Sequence, residues 1–203
     1  MPDAAGLEKL AAAIGPETVL GTVHTDCRSE ISVRPEAIVS ALATLRAEGY
    51  GDLRSVHGVD YYPEEPRLCV KYEMLSRERP DRVSVSLRVP LDDPRVPSVT
   101  PDWPTANWPE REAFDMFGIV FEGHPDPRRI LMWEAYPDHP LRKDFPLAGI
   151  EVELPAADVA EVTGKKVVPA PMMGGPFVSH GGKLSEGEPS ALDQSWTEEK
   201  PKA

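Results

Sequence analysis

Acidic and imidazole side chains crowd one stretch of this chain, residues 107–147, which reads NWPEREAFDMFGIVFEGHPDPRRILMWEAYPDHPLRKDFPL. Glu112 and Asp115 lie three residues apart, so a helix here would place both carboxylates on one face, and His124 and His139 follow downstream. Those residue types could form a metal site or a general acid–base set. The spacing argues against both. The histidines stand beyond proline-containing segments, and no short ligand spacing joins them to the acids. A free-standing metal-dependent enzyme is therefore the lesser reading, and no residue is assigned a catalytic, cofactor-binding or metal-ligating role. Capping, ion pairing and docking account for the same side chains.

Asn107 and Glu110 have capping-box spacing with Pro109 between them, which predicts a helix starting at Asn107. Ala113, Phe114 and Phe117 give that helix an apolar side, and Glu110 and Glu112 suit the positive end of its dipole. Arg111 and Asp115 are one turn apart and are expected to pair. Gly118 ends the helix, Ile119 to Phe121 is a short extended piece, and His124-Pro125 opens an irregular run stiffened by prolines. Within that run Arg128, Arg129, Arg142 and Lys143, the last followed by Asp144, form a basic island. Guanidinium groups pair bidentately with carboxylates, so the island is expected to dock against acidic groups of a partner. Trp103, Trp108 and Trp133 are interleaved with prolines here, where large aromatics either pack the domain or anchor an interface.

The elements that must position this stretch are legible upstream. Leu7, Leu10, Ala11 and Ile14 have helical spacing ahead of Gly15-Pro16, so residues 4–14 should be a short amphipathic helix. Residues 18–23 and 30–33 read as a hairpin turning near Asp26. Pro35 suits the first turn of a second helix with the stripe Ile38, Val39, Leu42 and Leu45, and Gly49 suits its left-handed end. Residues 53–62, 67–75 and 82–89 read as three further strands. Val83, Val85, Leu87 and Val89 alternate with Ser84, Ser86 and Arg88, while Leu68, Val70, Tyr72 and Met74 alternate with Cys69, Lys71 and Glu73. One sheet face should be buried and the other polar. The fold class is α+β, a mostly antiparallel sheet with packed helices, and no glycine-rich phosphate loop interrupts it.

Three parts follow: an α+β domain over 1–121, a Pro-rich docking segment over 122–150, and a long extended C-terminal arm over 151–203. The arm is rich in Pro, Gly, Ser and charge yet holds Val167, Val168, Met172, Met173, Phe177 and Trp196. It cannot build a core alone and is expected to order along a partner.

Bulk numbers exclude several classes. A net charge of -12 disfavours nucleic acid and anionic lipid as partners, since both depend on clustered Lys and Arg. No run approaches the roughly 18 apolar residues of a membrane-spanning helix, and the N-terminus lacks the signature of a signal peptide. The 2 cysteines, Cys27 expected in a turn and Cys69 expected to be buried, cannot assemble a four-thiolate cluster or zinc site. His24, His57 and His180 are isolated and receive no role.

The run ERE-AF-D-MF-GIVFEG-H-PDP-R-R-IL, from Glu110 to Leu131, and the later HPLRKDFPL, from His139 to Leu147, resemble the two hallmarks of the C-type subunit of proton-pumping NADH:quinone oxidoreductase, respiratory complex I. The resemblance covers roughly residues 30 to 150, and it carries the motif positions Glu110, Arg111, Glu112, Asp115, His124, Arg128, Arg129, His139, Arg142, Lys143 and Asp144. It implies a noncatalytic peripheral-arm subunit beside the D-type subunit, which forms the quinone cavity, with cluster-bearing subunits near. It also implies a place on the cytoplasmic side of the cell membrane, held there only through the complex. FMN, iron–sulfur clusters, NADH and quinone would be bound by other subunits, and none by this chain. Some relatives are fused to their D-type neighbour, whereas the charged tail here is expected of the separate form. A related membrane hydrogenase or plastid-type complex is the alternative setting.

Overall fold

The computed structural model describes residues 1–146. Met1–Lys143 form one compact unit, and a second begins at Asp144. The arm expected over 151–203, with His180, lies outside the described residues.

The first helix, α1 (Ala4–Ile14), begins where the Asp3 carboxylate accepts the Gly6 N–H at 2.7 Å and ends at Gly15, whose φ of +113° stops it. Its apolar stripe, Leu7, Leu10 and Ala11, is buried. A hairpin follows, β1 (Val19–Thr25) and β2 (Arg28–Val33). Pro35 opens a 3-10 turn over Pro35–Ala37, and the α-helix proper, α2 (Ile38–Ala47), starts three residues later than Pro35 suggests. Ile38, Ala41, Leu42 and Leu45 face the core. Gly49 has φ +91°, which lets the Tyr50 N–H turn back to the Leu45 carbonyl at 2.9 Å.

Three long strands complete the main sheet: β3 (Asp52–Asp60), β4 (Leu68–Ser76) and β5 (Asp81–Val89). The sheet order is β1-β2-β5-β4-β3, antiparallel except at the parallel β2–β5 seam. Two short strands, β6 (Arg95–Pro97) and β7 (Val120–Glu122), make a separate parallel pair. The α+β reading therefore holds over the described residues. Leu68, Val70, Tyr72, Met74, Val83, Val85, Leu87 and Val89 line the inner face under the helices.

The outer face is polar, as the alternation requires, but not simply solvated. Glu30 is buried, paired with Arg28 and Lys71 at 2.8 Å each, and accepts the Ser86 hydroxyl at 2.8 Å. Burial alone would raise the Glu30 carboxyl, yet Lys71 and Ser86 outweigh it and hold the pKa below its ordinary value. Ser84, Ser86 and Cys69 are buried too, and burial pushes the Cys69 thiol up to about 11. Cys27 is exposed between β1 and β2.

The third helix, α3 (Asn107–Phe117), stands on β3. Gly58 permits this approach, because a Cβ there would fall 2.5 Å from the Phe117 ring. Residues 122–143 belong to the same compact unit as the sheet. The physical reason lies in the contacts of α3.

Candidate docking site

The 3-10 turn Pro104–Ala106 leads directly into α3, whose first turn holds Pro109, so Asn107, at φ -50° and ψ -58°, is already helical and cannot cap. Its helix has no side-chain N-cap, and the expected capping box does not form. Glu110 is fully buried instead. One oxygen accepts the Val99 N–H at 2.9 Å, and the other accepts the hydroxyls of Ser98 at 2.6 Å and Thr100 at 3.1 Å. Burial raises the Glu110 carboxyl above its ordinary value against those donors. Sequence reasoning misses Ser98 and Thr100, for which a polar S-V-T run before Pro101 is the only signal.

The expected Arg111–Asp115 pair is also absent, because each finds a partner in the following loop. Arg111 donates to the Arg128 carbonyl at 2.9 Å, pairs with Asp126 at 3.2 Å, and lies 4.8 Å over the Trp108 ring. Asp115, with no exposed surface, accepts the successive N–H groups of Ile130, Leu131 and Met132 at 3.0, 2.6 and 2.9 Å through one oxygen. Its other oxygen takes Arg129 at 2.8 Å. Burial works to raise its pKa, but the Met132, Leu131 and Ile130 N–H groups and Arg129 prevail, and the carboxyl sits below its ordinary value.

Arg129 turns inward completely, donating also to the Asp138 carbonyl at 3.2 Å and the Tyr136 carbonyl at 2.9 Å. His124 and His139 clasp the two ends of α3. The Asp126 N–H donates to His124 Nδ1 at 3.0 Å, which leaves Nε2 to carry the proton toward the Asn107 carbonyl at 3.1 Å. His139 Nδ1 meets the Asp115 carbonyl at 3.0 Å and must be its protonated nitrogen. Burial lowers the His139 pKa, with Arg142 and Arg129 adding to it against that bond, so the ring is neutral at pH 7.

Arg142 donates its Nε–H to the Phe117 carbonyl at 2.7 Å, at the negative end of α3. Gly118, at φ +78°, makes room: a Cβ there would lie 2.3 Å from Arg142 and 2.6 Å from His139. The Lys143 N–H reaches Asp60 at 2.7 Å, where Arg67 also binds both carboxylate oxygens, at 2.7 and 2.6 Å. Burial of Asp60 is outweighed by Arg67 and by the Lys143 and Tyr62 N–H groups, and its pKa falls to about 2. Sequence reasoning misses Asp60 as well. An acid closing β3, seven residues before an arginine, is the hint it offers.

The basic island thus divides. Arg129 and Arg142 are structural, whereas Arg128 is exposed and paired with its own neighbour Asp126 at 2.6 and 2.9 Å. The Lys143 side chain and Glu112 face solvent, and Asp144 opens the second unit. Among the tryptophans, Trp103 packs inside with its indole N–H on the Gly51 carbonyl at 3.2 Å, and Trp108 is 64% exposed. Leu131 at 62% and Leu141 at 43% are exposed on the same corner. Glu110 and Asp115 have their lone pairs filled by donors, which suits them to holding backbone rather than moving protons. Among the described residues no group of three or more His, Cys, Asp or Glu could hold a metal ion.

Comparison with known proteins bears on this corner directly. Residues 31–151 match the family described as "Respiratory-chain NADH dehydrogenase, 30 Kd subunit". The C-type subunit of NADH-quinone oxidoreductase from Roseiflexus sp. (strain RS-1) is 43% identical over 155 residues, covering 75% of this chain and 88% of that protein. A C-type subunit of the same enzyme from Rhizobium etli (strain CIAT 652) is 47% identical over 138 residues, covering 66% and 72%. Among solved structures, a trypsin-resistant fragment (1-134) of Nqo5 superposes with a TM-score of 0.52 at 33% identity, covering 59% of this chain and 98% of that one. A chain of an archaeal membrane-bound sulfane sulfur reductase shares the fold at a TM-score of 0.57 and 23% identity, covering 88% and 98%. The family match contains every motif residue from Glu110 to Asp144, and with it the chain belongs to the family of 30 Kd, or C-type, subunits of NADH-quinone oxidoreductases.

Proposed function

We propose that this chain is a noncatalytic scaffold in the peripheral arm of an NADH:quinone oxidoreductase on the cytoplasmic side of the membrane. Its α3 corner would dock against the D-type subunit, which lines the quinone cavity. FMN and the iron–sulfur clusters would be held by neighbouring subunits that carry electrons from NADH to quinone with coupled proton translocation. No helix among the described residues is long and apolar enough to cross a membrane, so attachment would run through partners.

The observation that supports this reading is how the motif residues are used. Arg111, Asp115, Arg129 and His139 are spent on fixing residues 122–143 to α3, and Glu110 on fixing residues 98–100 to it. A loop held that rigidly loses little entropy on binding, and it presents Trp108, Leu131, Leu141 and Arg128 outward, an apolar and arginine-bearing surface of the kind that anchors interfaces.

The test is purification of the tagged chain from gently solubilised membranes, comparing wild type with Leu131→Asp and Arg128→Glu. Wild type should bring down flavin- and cluster-binding subunits. Folded variants should lose the quinone-cavity subunit and quinone reduction together. Normal assembly of both variants would remove the docking role from this corner.

A further inference from the structure

The outer face of the sheet, on the side away from α1, α2 and α3, carries a groove of about 440 Å³ that the α3 corner does not use. Its floor is built from β2, β5, β4 and β3. The acids in it are already satisfied: Glu30 by Arg28 and Lys71, and Glu73 by the Ser84 hydroxyl at 2.6 Å. Two of its arginines are not. Arg54 and Arg82 are exposed along the groove, and their guanidinium groups make no hydrogen bond or ion pair among the described residues. On a chain of net charge -12, a groove lined by Arg28, Arg54, Lys71 and Arg82 against Glu30 and Glu73 is a local reversal of sign.

The geometry also limits the ligand. Arg54 belongs to β3 and Arg82 to β5, on opposite sides of β4, where Leu75 pairs with Arg82 on one side and Asp52 on the other. Two strand spacings separate their backbones, on the order of 10 Å. That span is wide for one small anion and matches carboxylates about three residues apart on an extended peptide. Each carboxylate could take a guanidinium bidentately. Two free arginines are too few for the phosphate backbone of a nucleic acid to overcome the charge of the whole chain.

We propose that this groove is a second interface, and that its occupant is an acidic, extended segment of a neighbouring subunit. The proposal rests on the chain acting inside a multisubunit assembly, as the preceding reading has it, but not on which subunit meets the α3 corner.

Cys27 lines the groove and is exposed, whereas Cys69 is buried, so a maleimide reads the groove alone. In the assembled complex Cys27 should label at least about tenfold more slowly than in the free full-length chain. A photo-cross-linker placed on Cys27 should join an Asp- or Glu-rich peptide of another subunit. The double variant Arg54→Glu, Arg82→Glu should restore fast labelling or block assembly, while its free form keeps wild-type circular dichroism. Arg54→Ala, Arg82→Ala should weaken protection with no charge added. Equal labelling of wild type in complex and free chain overturns the proposal, as does a cross-link to a basic peptide or to a second copy of this chain. Protection that survives charge reversal overturns it as well. Failure of wild type to bring down flavin and cluster subunits sinks the functional reading and this one together, whereas assembly with an unprotected Cys27 sinks this one alone.

Discussion

The sheet and the helices packed on it, α3 included, share one apolar core, whereas the loop over residues 122–143 is held to the outer side of α3 by buried charge. In the first region Leu42, Leu45, Tyr72 and Val85 meet across a helix–sheet interface with almost no polar atoms. In the second, Asp115, Arg129, Arg111 and Asp126 join a helix to a loop of little regular structure, and Asp60 with Arg67 joins that loop's end to the sheet. Apolar contact is tolerant of what it touches, so the first region needs only the right pattern of residues. A buried carboxylate tolerates nothing but its own donors, so the second region is specified atom by atom. A surface used for docking gains from the second arrangement, because position matters there more than added stability.

Removing one partner in each region should break the comparison most sharply. Asp115→Ala leaves Arg129 buried without its carboxylate and three N–H groups without an acceptor, and should cost about 3 to 5 kcal/mol of unfolding free energy. Leu42→Ala should cost about 2 to 5 kcal/mol by cavity formation. The two differ on compensation. Adding Arg129→Met to Asp115→Ala should recover part of the loss in urea titrations, and a double-mutant cycle showing strict additivity would mean that charge pairing does not hold the corner.

Acid should sharpen the contrast next. Asp60 titrates at about 2 when folded against an unfolded value near 3.8, so its stabilisation is full above the unfolded pKa and lost as pH falls from about 4 to about 2. The loss should be about 2 kcal/mol, absent in Asp60→Asn. Asp115, also lowered, loses stabilisation in the same direction. Glu110 is raised and so opposes them: its ionised form weakens the fold, and protonation relieves that cost as pH falls through its folded pKa. Urea midpoints measured from pH 6 to 2, with the Asp60 and Glu110 variants, separate the signs. Least affected should be Glu112→Ala, which removes an exposed acid between two buried ones and should shift stability by less than about 0.5 kcal/mol. A larger shift would mean that α3 uses its outer face as well.

Much of this architecture was legible in the residues. Leu7, Leu10 and Ala11, and the alternating runs of β4 and β5, announce their buried faces by period, and Gly49 and Gly118 stand at positive φ where each helix ends. The α3 boundary was legible too, but its capping was not, since the 3-10 turn before it already supplies helical backbone to Asn107. Local rules pointed Arg111 to Asp115 and failed, because an exposed pair one turn apart contributes only a few tenths of a kcal/mol. Deeper partners fifteen to seventeen residues away in the loop outcompete it.

Neighbouring residues were enough to set the elements, the α+β class and the family, because periodicity and a dense motif are local properties of the chain. The partner of each charge came from the packing of the folded chain: Glu110 meets residues 98–100, Asp115 meets Arg129 and residues 130–132, Asp60 meets Arg67 and residue 143, and Arg54 and Arg82 are left lining the open groove. The physical reason is that a charge chooses its partner by proximity and burial, and in this chain both arise from how distant segments pack.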